Sequence, residues 1–318
     1  LRDKSFLKMS PAEWRAVLDV HLDGAYHVTR PAFAAMKANG YDPGYTAAVT
    51  AASCTIGPVV PPSMLMIIIG VMMEESVGRL FAGGFIPGIM MALSLIVLIY
   101  FQSFSKRIAF PPEMPRASTA EVLRAFRESF LALLAPLIIL GSILSGVATP
   151  TEAGIIAVMY SVVLGIIYKE LTFSGLFEVL KDSAFQTGAI MFIVAAAQIF
   201  AWIVTTERVA AVVYDLVIHF VNQKWAVLLL VNIVLLAIGC LIEGIAAIMI
   251  TVPVLLPVMQ KFGVDPTHFG VFLCINILIG LMTPPLGMAV YIASDLAQVP
   301  VMEGFRKSAP FLIPLVVT

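Results

Sequence analysis

Ser53-Cys54-Thr55-Ile56-Gly57-Pro58-Val59-Val60-Pro61-Pro62-Ser63 interrupts an apolar region with glycine, prolines and hydroxyl side chains. A second stretch near the other end, Ile279-Gly280-Leu281-Met282-Thr283-Pro284-Pro285-Leu286-Gly287, has the same order of Ile-Gly, a short spacer and a Pro-Pro pair. Setting Pro61-Pro62 over Pro284-Pro285 also pairs Ile56 with Ile279, Gly57 with Gly280, Ser53 with Asn276 and Pro87 with Pro310, all at one constant offset. The chain therefore reads as an internal repeat, and its fold turns on what the two breaks interrupt.

Tyr45 to Ala52 is an alanine-rich, weakly apolar lead-in to the first break, and Met64 to Met73 is an apolar run behind it. Ten residues of helix rise about 15 Å, half the hydrocarbon thickness of a bilayer, so such a run does not span alone. A short helix, a Gly/Pro break and another short helix make a re-entrant hairpin, whose broken backbone is tolerated only where protein or a water-filled cavity surrounds it. Phe269 to Leu281, the second break and Met288 to Leu296 repeat that geometry.

Composition agrees with a polytopic membrane protein. The 318 residues are 60% hydrophobic and 12% charged, with a mean hydropathy of +0.99, well outside the soluble range. A net charge of -1 excludes the basic balance of a nucleic-acid binder, and the partner implied is the lipid bilayer. Cys54, Cys240 and Cys274 have no metal or disulfide spacing, and His21, His27, His219 and His268 are scattered.

Further runs long enough to span are Leu80 to Phe101, Phe130 to Ala148 and Phe185 to Thr205, with Ala153 to Tyr168, Trp225 to Ile242 and Ile245 to Met259 as further apolar helices. The connection at 102–129 carries Lys106, Arg107, Arg116, Arg124 and Arg127, which favours the cytoplasmic side. Within it, Thr119 to Phe130 reads as an arm along the interface or as a solvated helix. Thr149-Pro150-Thr151-Glu152 reads as a helix start, with Glu152 in a capping role. Lys169 to Asp182 reads as a mixed loop.

The first 39 residues differ in character. Ser10-Pro11-Ala12-Glu13 reads as a helix start, followed by Trp14, Val17, Leu18, Leu22 and Tyr26 at helical spacing. From Met9-Ser10-Pro11-Ala12-Glu13-Trp14 to Pro31-Ala32-Phe33 this piece resembles the middle of a short-chain dehydrogenase. That family's glycine-rich nucleotide loop and Tyr-x-x-x-Lys pair are absent, since Tyr26 is followed by Arg30. The piece is read as a fusion or frame-shift relic, residues 1–39, ahead of a membrane domain at 40–318.

The two breaks suggest a chemistry. Discontinuous helices at corresponding places in two halves point to the binding site of a secondary transporter. Exposed carbonyls and helix C-termini attract cations, and free N–H groups at helix N-termini attract carboxylates. Ser53 and Asn276 would add neutral oxygens beside such carbonyls, and Thr55 and Thr283 hydroxyls, an oxygen-only set suited to sodium. The same side chains could instead satisfy backbone groups freed by the break. Glu243, between two apolar runs, would cost about 2.5–3.5 kcal/mol at membrane depth, so it faces a cavity, an ion or a partner, or it sits in an interfacial turn. No hydrolase, phosphate-loop or zinc-protease motif is present, so transport would run on an ion gradient without ATP or another cofactor.

Thr50-Ala51-Ala52-Ser53-Cys54-Thr55-Ile56-Gly57-Pro58 with Pro61-Pro62-Ser63, Thr149-Pro150-Thr151-Glu152-Ala153, Gly239 to Ala247 and Asn276 to Gly287 together resemble the large membrane subunit of TRAP (tripartite ATP-independent periplasmic) transporters. The resemblance runs from Gly40 to the C-terminus. It implies an all-α, inverted-repeat, ion-transporter-like fold of elevator type in the bacterial inner membrane. It also implies sodium-coupled uptake of an organic acid, such as a dicarboxylate or sugar acid, without enzymatic activity. A small membrane subunit and a periplasmic substrate-binding protein are the implied partners. Ser53, Thr55, Gly57 and Pro58 match the first tip, and Asn276, Gly280, Thr283 and Pro284 the second, both expected to contact sodium and substrate. Sodium itself is expected at Ser53, Gly57, Asn276, Gly280 and Thr283, and Glu243 matches the family's acidic position. Family members begin with further helices where this chain has the dehydrogenase-like piece, and the last helix is expected to be cut short at Thr318. The alternatives are an inactive, truncated membrane remnant and an oxidoreductase acting through residues 1–39.

Overall fold

The computed structural model describes residues 36, 39–104, 110, 118–169, 171–221 and 223–318. The dehydrogenase-like piece lies, apart from residues 36 and 39, outside them. Among the described residues the chain is all-helical, with no strand. The helices are α1 (Pro43–Cys54), α2 (Met64–Met73), α3 (Val77–Ser103), α4 (Thr119–Leu144), α5 (Pro150–Ile167), α6 (Phe173–Thr206), α7 (Val209–Phe220), α8 (Lys224–Gly239), α9 (Gly244–Lys261), α10 (Pro266–Gly280), α11 (Met288–Ala297) and α12 (Val301–Val317). Of these, α3, α4, α5, α6 and α9 are long and apolar enough to cross a membrane, as expected of a polytopic membrane protein, whereas α2, α10 and α11 are apolar but short.

The repeat is visible in how the helices start. Asp42 accepts from the Tyr45 N–H at 2.8 Å and Pro43 opens α1. Asp265 accepts from the His268 N–H at 3.0 Å and Pro266 opens α10. Each carboxylate satisfies an orphan donor and favours the positive end of its helix, and each proline fits the first turn. These Asp-Pro pairs stand at the same offset as the two breaks, an equivalence the reading from sequence did not include. Each break also holds a cis prolyl bond, at Pro61–Pro62 and at Pro284–Pro285.

The two halves pack crosswise. Helix α1 lies against α11 and α12, while α10 lies against α2 and α3. The first arm of each broken helix thus rests on the second arm and following helix of the other half. The largest fully buried side chains come from both halves and from α8 and α9: Met66, Ile69, Leu80 and Phe81; Leu235 and Ile248; Phe269, Leu273, Ile277 and Phe311. A single core therefore spans the repeat. By contrast, α4, α5 and α6 bury only Ile143, Ala153 and Val204. Their apolar faces, with Leu137, Val158, Ile166, Phe192 and Ile199 exposed, suit a lipid environment.

Two expectations need correction. The interfacial stretch at 119–130 and the span behind it are one continuous helix, α4, started by a capping box between Ser118 and Glu121. The sequence at Phe173 to Asp182 is not a loop but the first turns of α6, capped by Thr172, whose hydroxyl accepts from the Gly175 N–H at 3.1 Å. In both places charged residues interrupt the apolar pattern without interrupting the backbone hydrogen bonds. Charge alone does not end a helix; glycine or proline chemistry does. The expected start at Thr149 is a full capping box, with the Thr149 N–H donating to Glu152 Oε2 at 2.7 Å.

Candidate functional site

Three interruptions surround α10: the break at 55–63 between α1 and α2, the break at 281–287 between α10 and α11, and the turn at 240–243 between α8 and α9. The Cys274 thiol on α10 points at the Pro58 carbonyl oxygen at 3.8 Å, which puts the first break against α10. Helices α8 and α10 meet backbone to backbone, so that a Cβ on Gly280 would lie 2.5 Å from the Gly239 carbonyl carbon. A Cβ on Gly244 would reach Ile277 at 3.6 Å and Leu65 at 3.8 Å, which brings the start of α9 beside both α10 and α2. The first break is also carried by α3, where a Cβ on Gly84 would stand 2.9 Å from the Val59 carbonyl oxygen.

The expected site residues divide into two sets. On the first tip, Ser53 and Gly57 are exposed, and the Ser53 hydroxyl has no partner among the described residues. Thr55 is fully buried and donates to the Ala52 carbonyl at 2.8 Å, and Pro58 is half-buried. On the second tip, Thr283 donates to the Ile279 carbonyl at 3.0 Å, and Pro284 is exposed. Asn276 is buried one turn before the break, where its Nδ2 donates to the Phe272 carbonyl at 2.9 Å. Both threonines therefore back-bond to their own helices. What remains open toward a ligand is the Ser53 hydroxyl, the Asn276 carbonyl oxygen and the backbone of the tips.

Glu243 is the N-cap of α9, and its Oε2 accepts from the N–H groups of Ile245 at 3.0 Å and Ala246 at 3.1 Å. Its charge faces the positive end of α9, so the carboxylate holds one helix start at the edge of the site. No side chain caps α11, whose first residue follows Gly287 at φ 47°. Within that first turn the Ala289 N–H donates to the Leu281 carbonyl at 3.0 Å and those of Val290 and Tyr291 to Gly287, which leaves the Met288 N–H at the positive end of α11 to attract an anion, while the carbonyls ending α1 and α10 attract cations. Among the described residues no group of three or more His, Cys, Asp and Glu side chains gathers as a metal cluster. Any cation would be met by neutral oxygens.

One polar residue was missed from sequence. Asn232 lies midway along apolar α8 and shares with Asn276 a cavity of ≈ 150 Å³ lined otherwise by apolar side chains and Thr318. A lone amide in the apolar run from Trp225 was the available signal, since polar side chains at membrane depth are costly unless they face a cavity or partner.

The family model of the DctM component of tripartite ATP-independent periplasmic transporters matches residues 25–318. The chain belongs to the DctM family. Among its relatives, the sialic acid TRAP transporter large permease protein SiaM of Vibrio cholerae is 38% identical over 281 residues, covering 88% of this chain and 65% of that protein. The C4-dicarboxylate TRAP transporter large permease protein DctM of Pseudomonas aeruginosa is 37% identical, covering 90% and 66%. The 2,3-diketo-L-gulonate TRAP transporter large permease protein YiaN of Escherichia coli is 34% identical, covering 88% and 65%. This DctM-family chain thus spans just under two thirds of the length of these relatives. The family is one of transporter permeases, not of enzymes. With five membrane-length helices among the described residues, the chain is a multi-pass protein of the inner membrane.

Proposed function

We propose that this DctM-family chain carries the ion- and substrate-binding core of a sodium-coupled transporter for an organic acid. The observation that carries the reading is the pair of repeat-related broken helices, crossed through one core and gathered with a third break around α10. Short arms of this kind enter a bilayer without crossing it, so both tips act as re-entrant hairpins near the midplane. Sodium is taken by backbone carbonyls at the ends of α1 and α10 with the Ser53 hydroxyl and the Asn276 carbonyl oxygen. Gly57, Pro58, Gly280, Thr283 and Pro284 supply the backbone and shape of the tips. The substrate carboxylate is met by the Met288 N–H at the start of α11, which no side chain caps. Movement of the crossed core as one block would give an elevator mechanism. A small membrane subunit and a periplasmic binding protein complete the system, and relatives named for sialic acid, C4-dicarboxylate and diketogulonate favour a carboxylate substrate.

The test is uptake of candidate organic acids into proteoliposomes, with the binding protein outside and a sodium gradient imposed. Ser53→Ala removes an exposed hydroxyl with no internal partner, so stability stays unchanged while the sodium concentration for half-maximal uptake rises at least threefold. Uptake indifferent to sodium, or a Ser53→Ala variant with unaltered sodium dependence, overturns the assignment.

A further inference from the structure

A groove of ≈ 470 Å³ opens at the start of α4, lined by Arg124, Arg127, Glu128, Leu131 and Tyr168. The four α4 residues recur at i, i+3, i+4 and i+7, so they share one helical face. Tyr168, at the end of α5, is brought to that face by a specific contact. The Tyr160 hydroxyl donates to the Leu131 carbonyl at 2.7 Å and pins antiparallel α5 to α4. Eight residues further along α5 is a rise of about 12 Å, which sets Tyr168 level with the first turns of α4.

The charges of this groove are unspent. Neither Arg124 nor Arg127 forms a hydrogen bond or ion pair with a described residue. Glu121 forms no ion pair with them; its carboxylate accepts from the Ser118 N–H and hydroxyl in the capping box. Beside the groove, on the adjoining face of α4, Leu123, Phe126 and Phe130 are exposed, and Ile166 and Ile167 are exposed at the end of α5. Two free guanidiniums thus stand at the polar end of membrane-length helices, next to side chains that face acyl chains. Basic pockets of this kind on the cytoplasmic side hold phospholipid headgroups.

We propose that the groove binds the headgroup of an anionic phospholipid of the phosphatidylglycerol class. Arg124 and Arg127 hold the phosphodiester, whose oxygens match the planar fork of a guanidinium. Glu128 accepts from a hydroxyl of the headgroup glycerol, which explains a carboxylate in an otherwise cationic groove. Tyr168 donates to the phosphate or to the ester beneath it, and the acyl chains lie over Leu123, Phe126 and Phe130. The site is remote in sequence from both tips and does not depend on the transport reading. Its role would be to seat the α4–α5 pair in the leaflet that faces the cytoplasm.

The purified chain, in a neutral detergent, is titrated with phosphatidylglycerol, phosphatidylcholine and phosphatidylethanolamine of the same acyl chains, and with deacylated glycerophosphoglycerol. Bound lipid is read by native mass spectrometry and stability by thermal unfolding. The expected result is retention of phosphatidylglycerol and a rise in Tm, at least tenfold weaker binding in the Arg124→Gln/Arg127→Gln variant, and no matching effect from the other three ligands. Equal binding of phosphatidylcholine overturns the site without need of any variant. Equal binding of phosphatidylethanolamine assigns Glu128 to an ammonium and overturns the anionic choice. An equal shift with glycerophosphoglycerol replaces the lipid by a soluble phosphodiester, and undiminished binding in the double variant removes the arginines from the site.

Discussion

Gly57 and Gly280 hold equivalent places in the repeat and meet opposite surroundings. A Cβ on Gly57 would find only the Cys54 carbonyl oxygen, at 3.8 Å, whereas one on Gly280 would fall within 2.9 Å of three backbone atoms of Gly239 and Cys240. Backbone cannot step aside as a flexible side chain does. Gly280→Ala is therefore expected to destabilise the protein by about 1–3 kcal/mol, the usual cost of overpacking, and Gly57→Ala to stay within about 0.5 kcal/mol. Thermal unfolding of both variants in detergent checks this, and equal losses would contradict it. Sequence pairs the two glycines correctly but cannot distinguish them, because the crowding of Gly280 comes from α8, which the repeat does not include. The same helix hid Asn232. In sequence it is one amide in a greasy run, and only the crossing of α8 and α10 brings it to the cavity of Asn276.

At the scale of elements, what was legible in sequence was what local chemistry dictates. The half-length arms, the breaks at Gly57 and Gly280, and the Thr149–Glu152 start all follow from glycine, proline and capping side chains acting within a few residues. The continuity of α4 and the early start of α6 were not legible. There the deciding matter is whether charged turns stay helical, and Ser118 and Thr172 resolve it by capping upstream of the charges. Glu243 was open between an interfacial turn and a ligand, and its Oε2 caps α9 through two N–H groups. Glu243→Gln keeps an acceptor oxygen and loses the charge facing the helix dipole. The expected loss is about 0.3–1 kcal/mol of stability. Uptake in proteoliposomes should remain within threefold of wild type, since the variant still holds the start of α9. A collapse of uptake with stability preserved would instead make the carboxylate a ligand.

The whole molecule is closed by a contact between residues 265 positions apart, where Lys307 Nζ meets Asp42 Oδ1. Lys307 also pairs with Glu303 at 2.8 Å, so one ammonium ties the start of α1 to α12 across the crossed halves. Among the described residues the other half has no such tie, because the repeat places Gly84 where Lys307 stands. Burial raises the Asp42 carboxyl, but the Lys307 ammonium and the Tyr45 and Gly44 N–H groups outweigh it, and the group lies below its ordinary value of 3.8. A carboxyl depressed in the folded state contributes stability that is fully present above the unfolded value and is lost as pH falls through the folded one. Asn is as good an N-cap as Asp, so Asp42→Asn keeps the start of α1 and removes only the charge. Half-exposed ion pairs are worth about 0.2–1 kcal/mol, and that is the loss expected at neutral pH. Below about pH 4, where unfolded aspartate takes up its proton, the two proteins should begin to converge, and the difference disappears only as pH falls through the lower folded value. Lys307→Met should give a similar loss, and the double variant less than the sum of the two, because both changes remove the same contact. Thermal unfolding from pH 7 to pH 3 reads all of this. Parallel profiles for wild type and Asp42→Asn would show that the tie contributes nothing, and that the crossed apolar core alone holds the two halves together.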